Sequence, residues 1–142
     1  MSKGNTFEND LLKLIFNGTA IANLADNAAT APLTNLYVSL HTADPGEAGL
    51  QNASECAYAG YARVAAARTA GGWTILNNSV SPVADITFPA ATGGSETATH
   101  FAVGVAASGA TKVLYKGAIT PTVAIGNGVQ PKLTTATTIT ED

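Results

Sequence analysis

At 142 residues the chain has the size of one domain with its own core, and 46% of its residues are hydrophobic; only 12% are charged, against roughly 25% in ordinary soluble domains. The net charge is −3 and the seven Lys and Arg residues are scattered singly, so the basic stripe of a nucleic-acid binder is missing; the apolar runs also fall far short of the ~20 residues of a membrane span. One cysteine, Cys56, excludes a disulfide framework or a thiolate metal cluster, and the polar start, Met1 to Asn5, lacks the apolar run of a secretory signal, so the expectation is a protein that stays in the cytosol until something carries it out.

Taken in order, residues 5–17 read as a helix. Asn5 can cap it, with Glu8 three residues on in a capping-box-like relation. Phe7, Leu11, Leu14 and Ile15 fall on one stripe, which Leu12 and Phe16 broaden. Gly18 stands where a left-handed residue closes a helix. So apolar a helix packs on the sheet, the favoured reading, or docks on another chain. Residues 19–34 are alanine-rich and read as a short turn and a loop. Then comes the stretch around which the rest is organised, Leu36 to Gly46. Leu36, Val38 and Leu40 alternate with Tyr37, Ser39 and His41, the period of a half-buried strand. Asp44-Pro45-Gly46 turns the chain. Residues 44–56 form a long polar connection, a surface loop of the kind that carries recognition.

Beyond that loop the pattern stays β. Residues 58–66, 73–76, 86–88, 97–106, 112–116, 119–125, 129–133 and 134–140 read as strands. Gly71-Gly72 and Ser108-Gly109 turn the chain, Asn77-Asn78 ends a strand, and Asn127-Gly128 is the strongest hairpin signal. Short strands at such spacing predict a mainly β fold, an antiparallel β-sandwich or jelly roll of about eight strands preceded by an N-terminal α-helix. The whole of 1–142 reads as a single domain, with 1–34 the helical lead-in and 35–142 the sandwich. No internal repeat or linker divides it.

Few residues could carry chemistry. His41 with Asp44 and Glu47 could hold a cation or run acid–base work. The preferred reading is plainer: Asp44 opens a turn, and Glu47 is solvated. His100 lies on the strand face opposite Phe101 and Val103 and could meet His41. There is no Gly-x-Ser-x-Gly elbow, and Gly104 to Gly109 lacks the lysine of a phosphate loop. Nothing near Cys56 in sequence would lower its pKa. Trp73, Tyr58 and Tyr61 could form a sugar platform, though aromatics at strand positions are more often core. The expectation is no enzyme, no cofactor, no metal site and no small-molecule substrate. The sparse charge is compatible with a compact Ala/Thr/Gly-rich β protein; the preferred explanation is a surface normally covered by other subunits.

Several segments together resemble a family of small tailed-bacteriophage virion proteins, commonly called phage tail fibre proteins. They are Phe7 to Leu12, Leu36 to Gly46, Gly60-Tyr61-Ala62-Arg63-Val64, Ile86 to Ala90, Thr99-His100-Phe101, Leu114 to Gly117, and the ending Thr138 to Asp142. The resemblance covers essentially the whole chain, and His-Thr-Ala-Asp-Pro-Gly is its most specific block. It implies a virion structural protein, with no catalytic or metal residues carried over. The favoured placement is a capsid decoration or cement protein on the outer shell, because a fibre shaft would need a long repetitive or coiled-coil region. The alternative is a small tail fibre or tail-tip component that touches the host. Expected partners are the major capsid protein or tail proteins, with a homo-oligomer as the default, and neither nucleic acid nor membrane. The expected contact residues are Phe7, Leu11 and Phe16 on the helix and Asp44, Pro45 and Glu47 on the loop.

Overall fold

The computed structural model describes residues 3–28, 30–47 and 49–141; Met1, Ser2 and Asp142, which belong to the polar start and to the closing motif, lie outside the described residues. The chain is mainly β with an N-terminal helix, as its alternation predicts. Helix α1 (Asn5–Asn17) is followed by β1 (Asn35–His41), β2 (Val64–Ala67), β3 (Trp73–Leu76), β4 (Ser79–Pro82), β5 (Ile86–Thr87), β6 (Glu96–Gly104), β7 (Val113–Ile125), β8 (Lys132–Leu133) and β9 (Ile139–Thr140). The chain gathers into two compact units built from non-adjacent segments. The first takes the chain up to Asn35, Ala66–Asp85 and the end from Thr134; the second takes Leu36–Ala65 and Ile86–Leu133.

In the first unit α1 lies against β3 and β4. Its buried residues are Glu8, Leu12 and Phe16, spaced by four, so the inward stripe is centred beside the Phe7–Leu11–Ile15 line rather than on it. The Phe16 ring decides this orientation: it meets Trp73 edge-on, centroids 4.9 Å apart at 66°, a favoured aromatic geometry. The N-cap is Gly4 rather than Asn5, and Gly4 has no side chain with which to cap. Gly18 closes the helix at φ 66°, its N–H on Lys13 O, as its position predicts.

The last turn of α1 has no basic residue, and Arg68 supplies that role from elsewhere in the chain. Its guanidinium donates to Leu14 O at 2.6 Å and Ile15 O at 2.7 Å, and to Asn27 Oδ1 at 2.7 Å. Carbonyls that would end the helix unpaired are thus met by a cation at the negative end of its dipole. Strands β3 and β4 pair from Trp73–Pro82 to Leu76–Ser79. Asn77-Asn78 is therefore a two-residue hairpin turn, with Asn77 at φ 57°. Ser79–Pro82 gives little strand signal by composition, and pairing reveals it. Strand β9 joins β4 through Ser79–Thr140 and Val80–Ile139, so only the end of the threonine-rich segment is strand.

In the second unit the sheet has the order β2-β1-β6-β7. His41 sits directly opposite His100 on the β1–β6 ladder, so the two histidines do meet. Strand β7 is continuous over 13 residues where the sequence suggests two pieces; it forms the sheet edge, where Pro121 costs no ladder hydrogen bond. Asn127-Gly128 does not fold β7 back on itself. Strand β8 pairs instead with β5, Ile86 opposite Leu133 and Thr87 opposite Lys132, and Gly128 N–H bonds Ala91 O at 2.7 Å. Local turn preference yields here to the burial of Ile86, Phe88 and Leu133.

Candidate functional site

Strand β1 has a neighbour on each side, and from Val38 to His41 it is buried on both faces. The sequence predicts a half-buried strand; in the fold its polar face is enclosed too. Ser39 and His41 are completely buried, as is Gln51. Enclosed polar groups must find partners, and these residues find one another.

Arg63 stands at the centre. Its Nε and Nη2 grip Glu55 bidentately at 2.7 and 2.8 Å. Nη2 also donates to Gly109 O at 2.8 Å, and Nη1 to Ala106 O at 2.9 Å and Gln51 Oε1 at 3.1 Å. All five guanidinium N–H groups are engaged, the full capacity of the fork. Gln51 is equally committed: Nε2 donates to Tyr37 O at 2.7 Å and Ser39 Oγ at 3.1 Å, while Oε1 also accepts from Thr111 Oγ1 at 3.2 Å. Gly104 leaves space for this amide, since a Cβ there would overlap Gln51 Oε1.

The same hydrogen bonds fix the protonation of His41. Nδ1 lies 2.8 Å from Ala53 O, and a carbonyl only accepts, so Nδ1 carries the proton. Nε2 then accepts from Ser39 Oγ at 2.9 Å. Burial holds the imidazole pKa below its ordinary value. Tyr61 completes the set, its hydroxyl donating to Glu55 Oε1 at 2.9 Å and accepting Leu40 N–H at 3.1 Å. Burial pushes the phenol pKa up, which keeps it a donor. A Ser–His pair invites comparison with a nucleophile and its base. Here both side chains are sealed from solvent, and the second imidazole nitrogen faces a carbonyl where a triad has a carboxylate. What the arrangement does is physical: it ties the 50–56 and 106–111 loops to the central strand.

His41, Asp44 and Glu47 do not come together. Asp44 Oδ1 accepts Gly46 N–H at 2.8 Å in a tight turn, and Lys116 Nζ reaches Asp44 at 2.8 Å and Glu47 at 3.0 Å. The Lys116 ammonium holds the Asp44 carboxyl below its usual range and is itself raised in return. These exposed pairs dock the loop on β7, screened by salt. Pro45 is buried beneath them. Among the described residues no three of His, Cys, Asp and Glu are placed to hold a metal.

Cys56 is buried, and burial pushes its thiol up to about 12, so it is no thiolate at neutral pH. Tyr58 and Tyr61 pack edge-on at 5.3 Å, and Tyr61 stacks on Phe88 at 6.4 Å. Trp73 is buried in the other unit, against Phe16. Of the helix residues expected to make contacts, Phe7 is 40% exposed, Leu11 is half-buried and Phe16 is fully enclosed. Sequence reasoning missed Arg63, Gln51 and Glu55. Two signals pointed to them: Arg63 is the only charge between 57 and 67, and a glycine inside a strand, here Gly104, marks close approach.

The state of His41 gives a pH prediction. Its folded pKa lies below the ordinary 6.5, so the unfolded chain takes up the proton first as pH falls. The stabilisation from keeping His41 neutral is fully present above about 6.5 and is lost as pH drops through the folded value. Asp44, whose ordinary value is 3.8, loses its contribution only in a lower window. Unfolding free energy measured by urea from pH 7.5 to 5 should fall, and in His41→Gln this slope should flatten. An unchanged slope in the variant would assign the effect to another group.

Against protein-family models, residues 2–140 match the model described as podophage GP4 fiber I protein gp80. No curated protein matches the chain.

Proposed function

The chain belongs to the gp80 family of the podophage GP4 fiber I protein, a family of tailed-phage fibre and virion structural proteins, and from that membership we propose that it is a non-catalytic component of a phage fibre. The supporting observation is the extent of the match, which leaves only the terminal residues outside it. The Arg63 network agrees with such a role, because its polar side chains point inward to stiffen loops. No helix among the described residues is long and apolar enough to cross a membrane, and the protein is a virion component that associates with other virion proteins.

The sequence favoured capsid decoration because it has no repetitive shaft. That argument fails to separate the two placements, since a small module can join a fibre whose shaft is built by another chain. The family description suits the fibre reading at least as well as the shell. Copy number decides: quantitative mass spectrometry of purified particles should find a small multiple of the tail symmetry, and hundreds of copies per particle would return the protein to the shell.

For the contacts, the first unit is the better candidate. Of the six exposed large apolar residues among those described, Phe7, Leu24, Leu33, Leu76 and Val83 lie in it and only Leu50 in the second. We assign Phe7, with Leu11 beside it, to a contact with a neighbouring virion protein or a second copy, and the Asp44–Glu47 tip to the rim of a contact. Deleting the helix is a poor test, because Leu12 and Phe16 are core. Point changes serve better: Phe7→Asp and Leu76→Asp should each leave the melting temperature nearly unchanged and lower incorporation into particles, the pair by about tenfold or more. Full incorporation of the double variant would exclude Phe7 and Leu76 from the contact.

A further inference from the structure

A groove lies in the first unit, at the N-terminus of α1. It is an open groove of about 450 Å³ lined by Asn5, Thr6, Glu8, Asn9, Asn77 and Asn78, a size within the range of roughly 300–1,000 Å³ typical of small-molecule sites. Glu8 lines it while being only 5% exposed, and among the described residues no group hydrogen-bonds or ion-pairs with its carboxylate. Its carboxylate oxygens are not among the buried atoms left without a partner, so what exposure the residue keeps is at the carboxylate, which faces the groove from the first turn of α1. An acceptor held at the edge of a groove with no protein partner is available to water or to a ligand.

The other lining groups indicate the ligand. Gly4 offers no side-chain cap, so the first-turn N–H groups of α1 remain donors at this end. Asn9 Nδ2 is spent on Asn77 O at 2.7 Å and Asn78 Nδ2 on Glu141 O at 3.0 Å; these bonds hold the walls. Among the described residues nothing hydrogen-bonds the side-chain amides of Asn5 and Asn77, and each presents a donor and an acceptor. The groove thus places a strong acceptor beside donors and amides of both kinds. A divalent cation matches this poorly, because hard-cation sites draw affinity from several carboxylates and Glu8 is the only carboxylate among the described lining residues. Hydroxyl groups, each donor and acceptor at once, match it well. We propose that this groove binds a neutral polyhydroxylic ligand, one or two sugar units in size, with Glu8 accepting from ligand hydroxyls and Asn5, Asn77 and the helix N–H groups completing the contact. The ligand is held, with no bond made or broken.

The test uses the full chain, ¹⁵N-labelled, titrated separately with glucose, galactose, mannose, N-acetylglucosamine and calcium chloride. At least one sugar should give saturable shifts of the Asn5 and Asn77 side-chain amides and of the α1 first-turn amides. Glu8→Gln keeps the shape and removes the charge; it should bind that sugar roughly tenfold more weakly, the difference between a charge-assisted and a neutral hydrogen bond. Asn5→Ala, on the exposed wall, should fold normally and weaken binding too. No saturable shift with any sugar, a response to calcium alone, or undiminished binding by either variant would each overturn the assignment.

Discussion

Arg63→Ala is expected to remove about 3–5 kcal/mol of folding stability, the range for breaking a buried ion pair from one side. The Arg63 side chain is 2% exposed and that of Glu55 15%, so solvent can do little to rescue the carboxylate left behind. The loss extends beyond one pair. The Ala106 and Gly109 carbonyls lose the Arg63 donor together, and Gln51 Oε1 keeps only Thr111 Oγ1; unsatisfied buried acceptors cost roughly 1–3 kcal/mol each before relaxation. Set against a total stability of about 5–15 kcal/mol, the change takes a large share. Arg63→Lys should recover little, because a single ammonium cannot serve a planar fork of five donors. Urea unfolding should show a lower midpoint at a similar slope, and amide exchange should accelerate first in 50–56 and 106–111. Removing the orphaned charge as well, in Arg63→Met with Glu55→Leu, should cost less than Arg63→Ala alone. A cost below about 1 kcal/mol for Arg63→Ala would mean that the loops are held by other contacts.

That network also marks where the sequence stopped being readable. Strand β1, the closing Gly18 and the turn at Asp44-Pro45-Gly46 follow from short-range rules, and all stand in the fold. Phe16 shows the first limit: periodicity places it at the border of a stripe, yet its ring packs on Trp73, 57 positions away in the chain, and that contact sets the rotation of the helix. Asn127-Gly128 shows the second. Its turn chemistry is genuine, with Gly128 at φ 85°, but which strands pair depends on apolar surface contributed from Ile86 and Phe88. Arg63 shows the third. Alternation assigns it to a strand face and leaves open whether that face meets water; only the position of β1 between two neighbours encloses it. The Glu8 groove was illegible for the same reason, since its far wall comes from the Asn77-Asn78 turn.

The largest loss expected in the first unit is Phe16→Ala, at about 3–5 kcal/mol for deleting a buried phenylalanine ring. The cavity would open against Trp73, whose Nε1–H has no hydrogen-bond partner among the described residues, so its indole is positioned by packing. Trp73 is the only tryptophan in the chain, which makes its fluorescence a reporter of this unit, while far-UV circular dichroism weighs the strands of both. The chain passes between the units after Asn35, Ala65, Asp85 and Leu133. With four passages, neither unit can unfold without freeing chain ends that the other must then anchor, and we propose that residues 1–142 unfold as a single cooperative domain. Fluorescence and circular dichroism should therefore give coincident transitions in the parent and in Phe16→Ala, both shifted down together in the variant. If the tryptophan signal melted early in Phe16→Ala while most of the strand signal persisted, the two units would be separate folding domains. The Arg63 and Phe16 variants would then destabilise different parts of the molecule, and their effects would appear in different transitions.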